Sequence, residues 1–136
     1  METFFSILQT VLIALFVYVV VWYLIGLLLR RNDVVDIAWG PGIALVAGVA
    51  LYAGNVFTLQ SSILLLLVVV WALRLAVRVG LRVFRHTEDA RYAAWRNEWK
   101  YVRLRSFFQV YVLQGLLMVV LAYPFIHYAV WGKEVP

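Results

Sequence analysis

Residues 4–29 read FFSILQTVLIALFVYVVVWYLIGLLL, and Arg30-Arg31-Asn32-Asp33 follows without a spacer. Roughly 20 apolar residues in a helix cross about 30 Å of hydrocarbon. This stretch is long enough, and it stops where two guanidinium groups can meet water and headgroups. It reads as a transmembrane span rather than a cleaved leader. No basic segment precedes it, its apolar run is too long, and two arginines stand where a small-residue cleavage site would be expected.

Three further spans follow the same logic. Val34 to Ala53 is interrupted by Trp39-Gly40-Pro41-Gly42, Ser62 to Phe84 is fully apolar only as far as Leu73, and Phe107 to Val130 carries Pro124 near its end. Composition agrees. The 136 residues are 65% hydrophobic and 14% charged, against about 45–50% and about 25% in soluble domains. The expected fold is an all-α membrane protein, a single domain of about four transmembrane helices plus a short interfacial helix. With no cysteine, disulfides, thiolate metal sites and cysteine nucleophiles are excluded.

A net charge of +5 could suggest nucleic acid, but its distribution argues against that partner. Nine basic residues lie between Arg74 and Arg105 (Arg74, Arg78, Arg82, Arg85, Arg91, Arg96, Lys100, Arg103 and Arg105), opposed only by Glu88, Asp89 and Glu98. Short loops rich in Lys and Arg stay on the cytoplasmic side. Residues 85–106 are therefore expected in the cytoplasm. Alternation of the spans puts Arg30 and Arg31 on the same side, and the uncharged 54–61 connection and both chain ends outside. Within 85–106, Thr87 is a possible N-cap, with Glu88 and Asp89 in a first helical turn. Tyr92, Trp95, Trp99 and Tyr101 suit a short helix at headgroup depth.

Polar residues near or inside the spans carry the functional expectations, since such groups usually face protein or water. Asp36 is either a carboxylate capping the second helix beside Arg30 or Arg31, or a site acid. Trp39-Gly40-Pro41-Gly42 is either a packing kink or a break lining a cavity. Arg74, Arg78 and Arg82, at i, i+4 and i+8, share one helix face with Trp71 nearby. The outer arginines can snorkel. Arg74 lies deeper and wants a carboxylate or a bound anion, and Asp36 is the candidate partner. Gln114, and in the same way Gln9, is expected to hydrogen-bond between helices. His127 reads as interfacial. No His/Asp/Glu cluster has metal-ligand spacing.

Four short motifs, Asp36-Ile37-Ala38-Trp39-Gly40, Trp71-Ala72-Leu73-Arg74-Leu75, Glu88-Asp89-Ala90-Arg91-Tyr92 and Val112-Leu113-Gln114-Gly115-Leu116, together resemble the N-terminal half of the domain-of-unknown-function 1295 family. That family is grouped with steroid 5-alpha-reductase-like membrane oxidoreductases. The resemblance implies NADPH-dependent reduction of an activated double bond in a hydrophobic lipid. On this basis Asp36, Trp39 and Trp71 are the expected catalytic residues. Arg74, Arg78, Glu88, Asp89, Arg91 and Tyr92 are the expected cofactor-binding residues, and no metal is expected. Steroid reductases of this type carry a tyrosine where this chain has Trp71, whose indole donates a hydrogen bond but is no general acid.

Members of the family continue for about as many residues again, through an Arg-His-Pro-Asn-Tyr-like cofactor motif that this sequence does not contain. The chain is thus expected to act with a C-terminal-half subunit or as a homo-oligomer among membrane lipids of a bacterial inner membrane. The alternative expectation is a non-catalytic four-helix membrane protein that binds lipid or assists assembly. A methyltransferase using S-adenosylmethionine, found on related folds, is a weaker third.

Overall fold

Each long apolar run of the sequence is helical in the computed structural model, which describes residues 2–132. In chain order the elements are α1 (Glu2–Leu29), α2 (Val35–Gly54), α3 (Leu59–Arg85), the short α4 (Ala90–Glu98) and α5 (Val102–Arg105), a π-helical segment (Ser106–Val112), α6 (Leu113–Leu121) and α7 (Tyr123–Trp131). No strand occurs among the described residues. Four stretches are long and apolar enough to cross a membrane: Thr3–Leu29, Val35–Gly54, Leu59–Arg85 and Val102–Leu121. The protein is an integral membrane protein with an all-α bundle fold. The expected outside placement of the chain ends falls largely on residues beyond those described.

Local chemistry sets the helix ends. α1 closes in a Schellman turn, with Arg31 N–H on Gly26 C=O at 3.1 Å and Arg30 N–H on Leu27 C=O at 3.3 Å. Arg30 occupies the left-handed position at φ 53°, a place that glycine usually takes. α2 closes the same way on Asn55 at φ 51°. α3 opens earlier than Ser62, because Thr58 and Ser61 form a reciprocal capping box. α4 is capped by Asp89, which accepts from Arg91 N–H, and not by Thr87.

Two further expectations about the spans are corrected. The Trp39-Gly40-Pro41-Gly42 stretch does not break α2, which runs unbroken through Pro41. Proline removes one N–H donor from the helix, and in this same turn Tyr18 Oη reaches across from α1 to donate to Ala38 C=O at 2.8 Å. The fourth span starts at Val102 instead of Phe107 and is divided. A seven-residue π-helix leads into α6, and the chain turns at Ala122 before Pro124 in the first turn of α7.

α2 is the centre of the bundle, packing on α1, α3, α6 and α7. Lipid offers no hydrophobic drive between helices, so close van der Waals fit and small residues must hold them. Gly40 lies against the main chain of Ala72 and Gly54 against that of Ala129. A side chain at either place would meet backbone that cannot swing aside. α1 turns one stripe inward, Ile7, Val11, Leu15 and Val19. α3 packs chiefly on α2, burying Ser61, Ala72 and Val83 and leaving Leu66, Val70, Leu73 and Val77 exposed. At the far end from the arginines, Thr58 meets Tyr128 at 3.3 Å and Phe4 meets Trp131.

Candidate functional site at the basic end of the bundle

Two polar networks converge where α1 ends, α2 begins, α3 ends and α4 docks. The first ties the loops together. Arg31 grips Asp33 with two bonds, Nε to Oδ1 at 2.8 Å and Nη2 to Oδ2 at 2.7 Å. The same Nη2 reaches the His86 carbonyl at 3.3 Å, and Asp33 Oδ2 accepts Asp89 N–H at 3.1 Å. Asn32 donates its N–H to Glu88 at 2.6 Å and its side-chain amide to Ser106 Oγ at 2.9 Å. Asp33 is 3% exposed and Asn32 8%, so these bonds replace water lost by buried groups. The Asp33 carboxylate pushes the Arg31 pKa up and keeps the guanidinium charged.

The second network is a directed chain. Trp39 Nε1 can only donate, and it donates to Gln114 Oε1 at 2.6 Å. That fixes the amide, whose Nε2 must turn outward and donates to Tyr92 Oη at 3.2 Å. Tyr92, its oxygen thus occupied, donates its own proton to Asp36 Oδ1 at 3.0 Å. Arg82 stands 3.6 Å from Asp36 Oδ2. One indole therefore sets the polarity of a line running through α6, α4, α2 and α3. Tyr92 is 5% exposed. Burial, followed by the adjacent Asp36 charge, pushes its pKa up to about 12, so the phenol keeps its proton at neutral pH.

Asp36 opens onto a cavity of about 230 Å³, whose other polar lining is Asp33, Arg82, His86, Thr87 and Asp89. No group of three or more metal-ligating side chains occurs among the described residues. On the neighbouring face an apolar crevice of about 390 Å³ lies between α1 and α3, with Trp22, Ile25, Ile37, Val77 and Phe84 among its walls.

The structure gathers Asp36, Trp39 and Tyr92 into one chain. It leaves Trp71, Arg74 and Arg78 exposed on α3. The expected Arg74–Asp36 pair is corrected to Arg82–Asp36. Helical side chains lean toward the N-terminus of their helix. α3 runs toward the basic end, so the arginine further along it reaches back to the carboxylate. Asp36 pairs with neither Arg30 nor Arg31 among the described residues, and Asp33 takes Arg31 instead. Gln114 bridges helices as expected. Gln9 is exposed and forms no hydrogen bond to another helix among the described residues. His127 is exposed and sits between the rings of Tyr123 and Trp131. Asp33, Asn32 and Ser106 carry no spacing signal in the sequence, and only the fold places them together.

A nicotinamide dinucleotide needs cations free for its phosphates. Arg91 is clasped to Asp89 by two bonds of 3.1 Å, which hold the Asp89 pKa down and the Arg91 pKa up. Three carboxylates, Asp33, Asp36 and Asp89, line the cavity beside Arg82 and would repel a diphosphate. These residues by themselves do not fit the dinucleotide. Glu88 and Asp89 instead fasten the start of α4 to the α1–α2 loop, and Arg91 clasps Asp89.

The family model described as a protein of unknown function (DUF1295) matches residues 22–135, which include every residue of both networks. No curated protein and no solved structure matches the chain.

Proposed function

The chain belongs to the DUF1295 family, and from that premise we propose that it is the proton-handling part of a membrane-embedded, NADPH-dependent reductase of lipid or steroid-like double bonds, completed by a partner chain. The observation that carries the reading is the oriented line Trp39–Gln114–Tyr92–Asp36 ending at Arg82. Reduction of a polarised double bond needs a positioned acid, and Asp36, the member of the line that opens on the cavity, is the group placed to give a proton to the substrate and to recover one from solvent. Tyr92 keeps its own proton and positions the Asp36 carboxyl through its hydrogen bond, and Arg82 balances the carboxylate left behind. The apolar crevice between α1 and α3 offers a bed for a hydrocarbon chain. Trp71, Arg74 and Arg78, on the open flank of α3, are in this reading shared with the partner that supplies the remaining phosphate donors.

Membranes containing the chain and its partner should oxidise NADPH when given lipid enones. A positioned acid contributes about 10²–10⁴-fold. Tyr92→Phe and Asp36→Asn should each lower the rate by at least about 10²-fold while the thermal melt of the protein is retained. Rates within about twofold of the parent for both variants would refute the reading.

The exposed arginines of α3 favour one second reading, a non-catalytic protein that assembles with other membrane helices through that flank. Failure to bind NADPH beside every co-purifying chain would favour it.

A further inference from the structure

α1 turns Ile7, Val11, Leu15 and Val19 into the bundle. Its opposite face holds Gln9 in a groove of about 500 Å³, walled by Phe5, Leu8, Leu12, Ile13 and Phe16. Gln9 is exposed and makes no hydrogen bond among the described residues. Its neighbour Thr10 is satisfied within the helix, donating to Ser6 C=O at 2.9 Å. Gln9 lies inside the membrane span Thr3–Leu29. Lipid chains offer nothing to the donors and acceptor of an amide, which finds its partner on another helix.

Spacing and charge say which helix that is. Phe5, Gln9, Leu12 and Phe16 follow one another at intervals of four, three and four residues, the seam of a left-handed helix pair. A single polar residue in such a seam fixes register and the number of partners. A carboxamide donates and accepts at once, so two glutamines facing across a two-fold axis satisfy each other. Insertion gives every copy the same orientation. The axis therefore runs along the membrane normal, the paired α1 helices are parallel, and Gln9 meets Gln9. The open flank of α3 differs. Arg74 and Arg78 are exposed there and would face like charges in a symmetric pair, so that flank suits a different chain. α1 carries no charge from Thr3 to Leu29 and suits its own copy. Beside Phe16, a cleft of about 230 Å³ between α1 and α6, with Gly115 in its wall, leaves room for a neighbour's ring.

We infer that α1 pairs with α1 of a second copy of this chain through Phe5, Gln9, Leu12 and Phe16, with the two Gln9 amides bonded across the axis. The inference does not rest on the reductase reading. The crevice toward α3 uses other residues of α1, Trp22, Ile25 and Leu29, so pairing leaves it open.

The sequence has no cysteine, so single introduced thiols report the interface without background. The full chain carrying Leu12→Cys or Phe16→Cys should form disulfide-linked dimers in membranes under mild oxidation. Val17 is as exposed as Phe16, 57% against 59%, and lies at the same depth but about 100° round the helix. Val17→Cys should not cross-link. Energy transfer between copies labelled at a C-terminal tag, followed as the chain is diluted into phosphatidylcholine vesicles, gives the dissociation constant. Gln9→Leu should raise it about tenfold, and Gln9→Asn, which keeps an amide, should recover most of that loss. Circular dichroism of both Gln9 variants should match the parent, which separates lost pairing from lost folding. Monomers at every density, cross-linking at Val17 equal to that at Leu12 and Phe16, or an unchanged dissociation constant in Gln9→Leu would overturn the inference. Cross-linking of Leu12→Cys and Phe16→Cys to a different chain in place of a second copy would overturn it too.

Discussion

Replacing Gly40 by alanine should pry α3 away from α2. A Cβ at Gly40 would lie 2.7 Å from the Ala72 carbonyl oxygen and 2.8 Å from Ala72 Cα, where ordinary contact begins at 3.4 Å. Both obstacles are main chain, so relief requires the helices to part by about 0.7 Å. A gap of that size forfeits a quarter to a half of each atom-pair attraction. α3 packs chiefly on α2, so the loss runs along Leu65, Val68, Ala72 and Val83. Overpacking of this kind costs typically 1–3 kcal/mol, and the bilayer offers no hydrophobic compensation. We expect Gly40→Ala to lower stability by about 2 kcal/mol in a titration from mild detergent into sodium dodecyl sulfate. Gly48→Ala is the control, because its Cβ would meet only Leu65 at 3.9 Å; it should stay within about 0.5 kcal/mol of the parent. Equal stability of the two variants would show that the helices do not meet at Gly40. The register that brings Arg82 to Asp36 would then fall with it.

Two other outcomes follow from the same contacts. Tyr92 has a folded pKa of about 12 against an ordinary 10.0. Its contribution to stability is therefore fully present below pH 10 and is lost as pH rises through the folded value. The base-induced loss of stability that sets in above pH 10 should be smaller in Tyr92→Phe than in the parent, and an undiminished loss there would refute the assignment. The Tyr111 hydroxyl is buried with no hydrogen-bond partner among the described residues, and an unsatisfied buried group costs about 1–3 kcal/mol. Tyr111→Phe should therefore leave stability unchanged or raise it by about 1 kcal/mol in the same titration, whereas a clear loss would reveal a missed partner.

Hydropathy and the arginine clusters were enough to read the spans, because membrane insertion is decided by the composition of contiguous stretches. Gln114 was legible for the same reason, since a lone amide among apolar residues must find a partner. Distances between helices were not. The Gly40–Ala72 approach sets which arginine meets Asp36, and neither motif states it. Proline at position 41 suggested a break because the sequence does not show how closely α2 is packed among its neighbours. The π-helical turn of Ser106–Val112 and the knot of Asn32, Asp33 and Ser106 depend on tertiary fit, which local pattern does not encode.

The wide turn of Ser106–Val112 has a mechanical meaning. Wider coils advance fewer degrees per residue than the helix that follows, so this segment sets the rotational phase of everything beyond it. Gln114 faces Trp39, and Gly115 and Met118 mesh with Val19 and Gly42, only at that phase. Rewinding the coil to ordinary pitch would spin α6 like a key in a lock and carry the amide away from the indole. The donor line through Tyr92 would then open with no change at Tyr92 or Asp36 themselves.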